Sequence, residues 1–203
     1  MGEQTTTNEK KRPRQRLLAA ADELFYNEGT HTVGIDRVIE RAGVAKGSLY
    51  YNFSGGKDDL IKEYLLGRHA AWAARVDQEI AKHEEPRHKI LSVFDALGTL
   101  FSEPDYRGCA FMNALAGAPE NGPEIQAAAN FRIWLHTLFD SMVADLDVEN
   151  PSQLTDQLVV LYDGAVTASQ MDNTPRTATT AKTLATMLLG LHPSETHADH
   201  VTA

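Results

Sequence analysis

Residues 42–53 read AGVAKGSLYYNF. The stretch has too few charges to be an ordinary solvated face and too few apolar residues to be core. A helix as short as 46–53 is also marginal by itself in water. Its composition therefore points to something outside the chain. Just upstream, GIDRVIERAG at 34–43 sets Ile35, Val38, Ile39 and Ala42 at i, i+3, i+4 and i+7, the period of an amphipathic helix. Gly34 stands at its N-cap position and Gly43 ends it. Two short helices joined across Gly43, Val44 and Ala45 have helix-turn-helix spacing. Gly43 can take a positive φ in the turn without penalty, and Val44 is the apolar residue that locks the turn to a core. Gly47 and Ser48 keep the start of the second helix thin enough for its backbone to approach a phosphate or a groove floor. Tyr50, Tyr51 and Asn52 add hydroxyl and amide groups suited to phosphates and base edges. Spacing alone also fits an ordinary tight helical hairpin.

Charge is divided in the same place. The net charge is −9 over 203 residues. Residues 1–57 carry nine Lys and Arg against seven Asp and Glu, and five of those cations lie at 10–16. Residues 58–203 carry ten against twenty-one. A basic end on an acidic body is consistent with a binding head and a body that avoids phosphate, or with a solvated terminus. No apolar run approaches the roughly 20 residues of a membrane span. The polar first 16 residues lack the apolar centre of a secretory signal. The single cysteine, Cys109, excludes an internal disulfide framework and fits a reducing compartment. A cytoplasmic protein is expected.

Helical periodicity dominates, and no segment alternates as a strand would, so the expected fold class is all-α with about nine helices. Pro13 opens the first, with Leu17, Ala20, Ala21, Leu24 and Phe25 on one face and Gly29 as its stop. A long helix runs from Lys57 to about His83, with Ile61, Leu65, Trp72, Val76 and Ile80 on one stripe. Another opens at Pro86 and carries Ile90, Phe94, Leu97 and Phe101. A shorter helix is expected within 105–119, a central apolar one over 123–146, and two more over 151–172 and 175–191. The expected organisation is a disordered tail at 1–9, a helix-turn-helix domain at 10–56, a ligand-binding and dimerisation domain at 57–191, and a disordered tail at 192–203.

The head resembles the tetracycline-repressor (TetR) family of bacterial regulators. Ala42-Gly43-Val44, Gly47, Tyr50, Phe53, Lys57 and Leu60 answer its turn, aromatic and Lys-x-x-Leu positions, and LLAAADELFYNEG at 17–29 is similar to its first helix. The match runs over roughly residues 14–62. The resemblance implies a homodimer on a double-stranded DNA operator, a small-molecule effector bound in the C-terminal domain, and a dimer interface made by the last two long helices. On that reading Lys46, Gly47, Ser48, Tyr50, Tyr51 and Asn52 carry the DNA contacts, with Arg37 and Lys57 as phosphate partners. The chain departs from the pattern at three points. Ala45 stands where the family usually has a capping Ser, and Gly34 where it commonly has Thr. Residues 54–56 lengthen the link between Phe53 and Lys57 by one residue.

Small residues in the last two long helices, among them Gly164, Ala165 and Ala168, permit the close helix approach that a dimer interface needs; they suit packing within one chain equally. Candidate effector-binding residues are His69, Trp72, Phe94, Phe101, Cys109, Met112, Asn113, Phe131, Trp134, Tyr162 and Gln170, a mostly apolar set with scattered polar groups. The competing role for each is core packing. RGCAFMNALA at 107–116 is similar to a segment of one branch of the family. Cys109, near Arg107, fits either a reactive thiol or an inert buried one. His192, His197 and His200 lack the carboxylate or thiol arrangement of a metal site. There is no phosphate-cradling Gly loop, no Gly-x-Ser-x-Gly elbow and no His-Glu-x-x-His pair. The expectation is a non-enzymatic, ligand-responsive repressor without catalytic residues, metal or cofactor, and without a membrane partner. An activator, a regulator without ligand sensing, and a helical enzyme on a small apolar substrate are the alternatives.

Overall fold

The computed structural model describes residues 12–190, with nine α-helices and no strand among them. They are α1 (Pro13–Glu28), α2 (Ile35–Ala42), α3 (Lys46–Asn52), α4 (Lys57–Ile80), α5 (Pro86–Phe101), α6 (Ala110–Leu115), α7 (Pro123–Val143), α8 (Pro151–Asp172) and α9 (Arg176–Leu188). The tails expected at 1–9 and 192–203, including His192, His197 and His200, lie outside the described residues. No helix among the described residues is long and apolar enough to cross a membrane.

Local chemistry explains most boundaries. Proline stands at the first position of α1, α5, α7 and α8, where its missing N–H costs no hydrogen bond. The Glu85 side chain caps α5 by accepting from the His88 N–H at 2.9 Å, and Asn150 caps α8 by accepting from Gln153 at 3.3 Å. Several boundaries differ from the periodicity; the helix expected over 123–146 ends at Val143 and the one expected over 175–191 ends at Leu188. The long helix stops at Ile80 and passes into a turn at residues 81 and 82. The helix expected within 105–119 contracts to the six residues of α6, because Gly108 (φ 87°) and Gly117 (φ 86°) bracket it in left-handed conformations.

Packing divides the described chain into two units, residues 12–70 with 110–130 and residues 71–109 with 131–190. In the first, α1 packs on α2 and α3, with Leu17, Ala21, Val38 and Leu49 fully buried. The near half of α4 joins them through Phe25 and Tyr64, an edge-to-face pair 5.6 Å between ring centroids. Arg68 of α4 grips α1 by two hydrogen bonds to Asp22 (2.6 and 2.9 Å) and stacks over Tyr26, 3.8 Å from its centroid.

In the second unit α9 packs on α5 and α8. Lys182 reaches Asp95 of α5 at 2.7 Å, and the Thr177 hydroxyl donates to the Ala165 carbonyl of α8 at 3.0 Å. Phe94 and Phe139, both buried, meet at 6.3 Å between centroids. Burial pushes the Tyr162 hydroxyl well above its ordinary range, and the neighbouring Cys109 and Asp163 push in the same direction.

Candidate functional site

The second helix of the helix-turn-helix is set by its turn. Gly43 lies at φ 62°, ψ 42°, the left-handed cap that ends α2, and its N–H donates to the Glu40 and Ile39 carbonyls. The Arg16 guanidinium of α1 donates to the Gly43 carbonyl at 2.6 Å, tying the turn to the first helix. A Cβ on Gly43 would meet that guanidinium at 2.6 Å. Gly43→Ala should therefore cost about 1–2 kcal/mol for the left-handed residue, with more from the displaced Arg16. Equilibrium denaturation checks this, and an unchanged midpoint would refute it.

α3 then starts at Lys46 with Ala45 as N-cap, and no side chain caps its free N–H groups. Leu49, fully buried, anchors the helix. The opposite face is bare: Tyr51 is 90% exposed and Tyr50 50%, with Gly47 also exposed and Ser48 half-buried. Gly56 (φ 64°) allows the next turn to pass under the Tyr50 ring, where a Cβ would lie 3.5 Å from the ring edge. The Asn52 amide donates back to the Ser48 carbonyl at 2.7 Å, so one of its two donor hydrogens is engaged within the helix.

A groove of about 540 Å³ runs beside this face, lined by Arg12, Pro13, Arg14, Gly47, Ser48, Tyr51 and Asn52. The start of α1 thus shares one surface with the start of α3. Sequence reasoning did not assign Arg12 and Arg14 a contact role. The signal was present in the basic cluster at 10–16, but which of its members reach the groove depends on how α1 crosses α3. Arg14 also pairs with Glu63 at 2.8 Å and lies over the Phe53 ring.

Two of the cations expected at DNA, Arg37 and Lys46, have protein partners. Arg37 forms a two-pronged pair with Glu28, one bond at 2.8 Å, and Lys46 pairs with Asp36 at 2.9 Å. In both, the hydrogen bond to the carboxylate and then its charge raise the cation's pKa above its ordinary range. Pairs this exposed contribute little, so a phosphate can compete for either cation. Lys57, half-buried, opens α4 after the turn at 54–56. The Asp59 carboxylate accepts from the Gly55 N–H at 2.6 Å in that same turn.

A cavity of about 280 Å³ lies within the first unit, walled by α4 (Lys62, Leu65, Leu66 and His69), α6 (Phe111) and the start of α7. His69 meets Phe111 edge-on, 6.3 Å between ring centroids. Partial burial lowers the His69 pKa and so favours its neutral form. Of the eleven expected effector residues, His69 alone lines this cavity. Met112 and Asn113 sit nearby on α6, Met112 44% exposed. Trp72, Phe94, Phe101, Cys109, Phe131, Trp134, Tyr162 and Gln170 belong to the second unit. There Trp72 faces Tyr162 at 6.4 Å and Phe131 faces Trp134 at 5.4 Å, while the Gln170 amide lies against Gly108. The sequence gathered these residues by helix, and the fold separates them.

The sequence profile of bacterial regulatory proteins of the tetR family matches residues 17–64. The HTH-type transcriptional regulator LmrA of Bacillus subtilis is 41% identical over 59 residues, which are 26% of this chain and 31% of that protein. The HTH-type transcriptional activator FasR of Mycolicibacterium smegmatis is 30% identical over 118 residues, 57% of this chain and 52% of that protein. The chain therefore spans about a third to a half of the length of these curated relatives. A TetR-family transcriptional regulator from Streptomyces coelicolor is alike along nearly its whole length. It superposes with a TM-score of 0.81 at 32% identity, covering 88% of this chain and 94% of that one.

Proposed function

Because this chain belongs to the tetR family and is by that a DNA-binding transcriptional regulator, we propose that it acts as a dimeric repressor released from a palindromic operator by a small, mostly apolar effector. The observation that carries the DNA half of this reading is the bare face of α3. Tyr51 is 90% exposed beside an open Gly47 and the Arg12–Arg14 start of α1. A face so exposed, with few charges and two bare tyrosines, makes little packing contact inside the monomer. It fits a major groove, with phosphates on the flanking cations and base edges on the tyrosines. Lys46, Ser48, Tyr50, Tyr51 and Asn52 are the proposed contacts, Gly47 the point of closest approach, and Arg37 and Lys57 the phosphate partners. The head ends at residue 56 on this reading.

Dimerisation is supported by what α8 and α9 leave bare. On α8, Val160, Gly164 and Met171 fall on one face, with Val160 68% and Met171 80% exposed. On α9, Leu184, Met187 and Leu188 do the same. A Cβ on Gly164 meets nothing within 4 Å, so a second helix can approach there closely. The α4–α6–α7 cavity is the proposed effector site: five of its nine lining residues are apolar and its histidine favours the neutral form.

Selecting operators from random DNA and repeating the gel shift with Tyr51→Ala tests the reading. Binding should weaken about tenfold or more, as for a lost base or stacking contact, with the melting temperature unchanged. Wild-type affinity in the variant would remove α3 from the interface. Likeness to FasR, a transcriptional activator, favours activation as the second reading; transcription in vitro from the selected operator separates the two.

A further inference from the structure

We infer that His31 carries the occupancy of the α4–α6–α7 cavity to the helix-turn-helix, through a latch on the two short elements that wall that cavity. The inference rests on the reading of the cavity as an effector site. His31 lies in the loop between α1 and α2, a few residues before the helix that positions the turn. Its Nε2 is 3.1 Å from the Ala114 carbonyl of α6, and that oxygen can only accept, so Nε2 carries the hydrogen. The same nitrogen lies 3.6 Å from the Glu124 carboxylate in the first turn of α7 and 3.0 Å from the Thr30 hydroxyl. One imidazole thus hydrogen-bonds the head to α6 and lies against the first turn of α7.

Those are the cavity's own walls. Phe111 lines the cavity one turn before Ala114 on α6, and Pro123 lines it immediately before Glu124 on α7. α6 is the shorter of these two walls. It has six residues, too few to be stable alone, and left-handed glycines stand on both sides of it. The carboxylate does not look like a device for stability. Glu124 is 1% exposed, and its Oε2 has no hydrogen-bond partner. Gly122 makes room for that oxygen, since a Cβ there would lie 2.6 Å from it. A buried oxygen without a partner is a cost that a purely structural contact would avoid, only partly offset by the positive end of α7. One hydrogen bond to Ala114 therefore holds His31 beside the Glu124 carboxylate, an arrangement that a small shift of α6 against α7 breaks. An occupant wedged between Phe111 and Ala127 supplies that shift, and the α1–α2 loop is released.

The test needs no knowledge of the natural effector. Ala127→Trp places an indole in the cavity as a fixed occupant, and Leu66→Trp does so from the 61%-exposed rim of α4, where folding tolerates it. Each is measured on the selected operator in the wild-type, His31→Ala and His31→Gln backgrounds, with melting curves as the fold control. The expected result is an affinity change of about tenfold from the filled cavity in the wild type, within the usual range of coupling between sites. It should fall below about threefold with His31→Ala and return with His31→Gln, whose amide can donate to Ala114 in place of Nε2–H. An equal change in all three backgrounds overturns the latch and leaves the effector cavity standing. No change in any background, with both tryptophan variants folded, overturns the cavity reading and the latch with it.

Discussion

Gly47→Glu should abolish operator binding, by about 100-fold or more, in a protein that folds as well as the wild type. A Cβ built on Gly47 meets nothing within 4 Å, and the residue is exposed in the first turn of α3. Glycine inside a helix is worth roughly 0.5–1 kcal/mol less than alanine, so the fold gains nothing from it here. Gly47→Ala should even raise the denaturation midpoint slightly. What the glycine provides is clearance on the face that also carries Tyr51. A carboxylate at that point is driven against the phosphate backbone, and like-charge juxtaposition across an interface costs several kcal/mol. Comparing the alanine and glutamate variants on one operator separates steric from electrostatic exclusion. A Gly47→Glu protein that binds like the wild type would mean that DNA does not approach this face.

The second large effect concerns stability. Phe94→Ala should cost about 3–5 kcal/mol, the usual range for removing a buried phenyl ring, and lower the melting temperature by about 10 °C. Phe94 is 1% exposed and packs on the equally buried Phe139. The sequence placed it among effector residues, and its packing makes it a candidate for core instead. His69→Ala, at the wall of an open cavity, should shift the midpoint far less. Matched denaturation curves decide the matter: equal midpoints for Phe94→Ala and wild type would return Phe94 to a ligand-lining role.

The two predictions differ in how far the sequence could have reached them. The helix-turn-helix is local. Its apolar residues recur at i, i+3, i+4 and i+7, its turn needs a left-handed residue, and Gly43 stands at that point with φ 62°. Interactions within a few residues settle the turn, so spacing and residue type placed it, while the resemblance to the family separated it from an ordinary helical hairpin. Leu17, Ala20, Ala21, Leu24 and Phe25, read as one face of the first helix, are all buried. The division of aromatic residues between cavity and core is not local. Aromatic side chains on amphipathic helices look the same whether they line a cavity or fill a core, because both need an apolar stripe at the same period. Trp72 and His69 are three residues apart on α4, yet His69 walls the cavity of the first unit while Trp72 packs on Tyr162 in the second.

The sequence by itself determined the all-α class, the place of the turn and a second short helix too polar to be core. Each follows from periodicity, from φ preference at single glycines and from charge counted along the chain, and none requires knowing which distant residues meet. The tertiary structure alone decided the rest. It brought Arg12 and Arg14 to the groove beside Tyr51, gave Lys46 and Arg37 their carboxylate partners, divided the aromatic residues between core and cavity, and set His31 against Ala114, 83 residues away. Pairings of that kind depend on how helices cross and on what volume remains between them. A linear pattern constrains such crossings weakly, because the same apolar stripe packs at more than one angle.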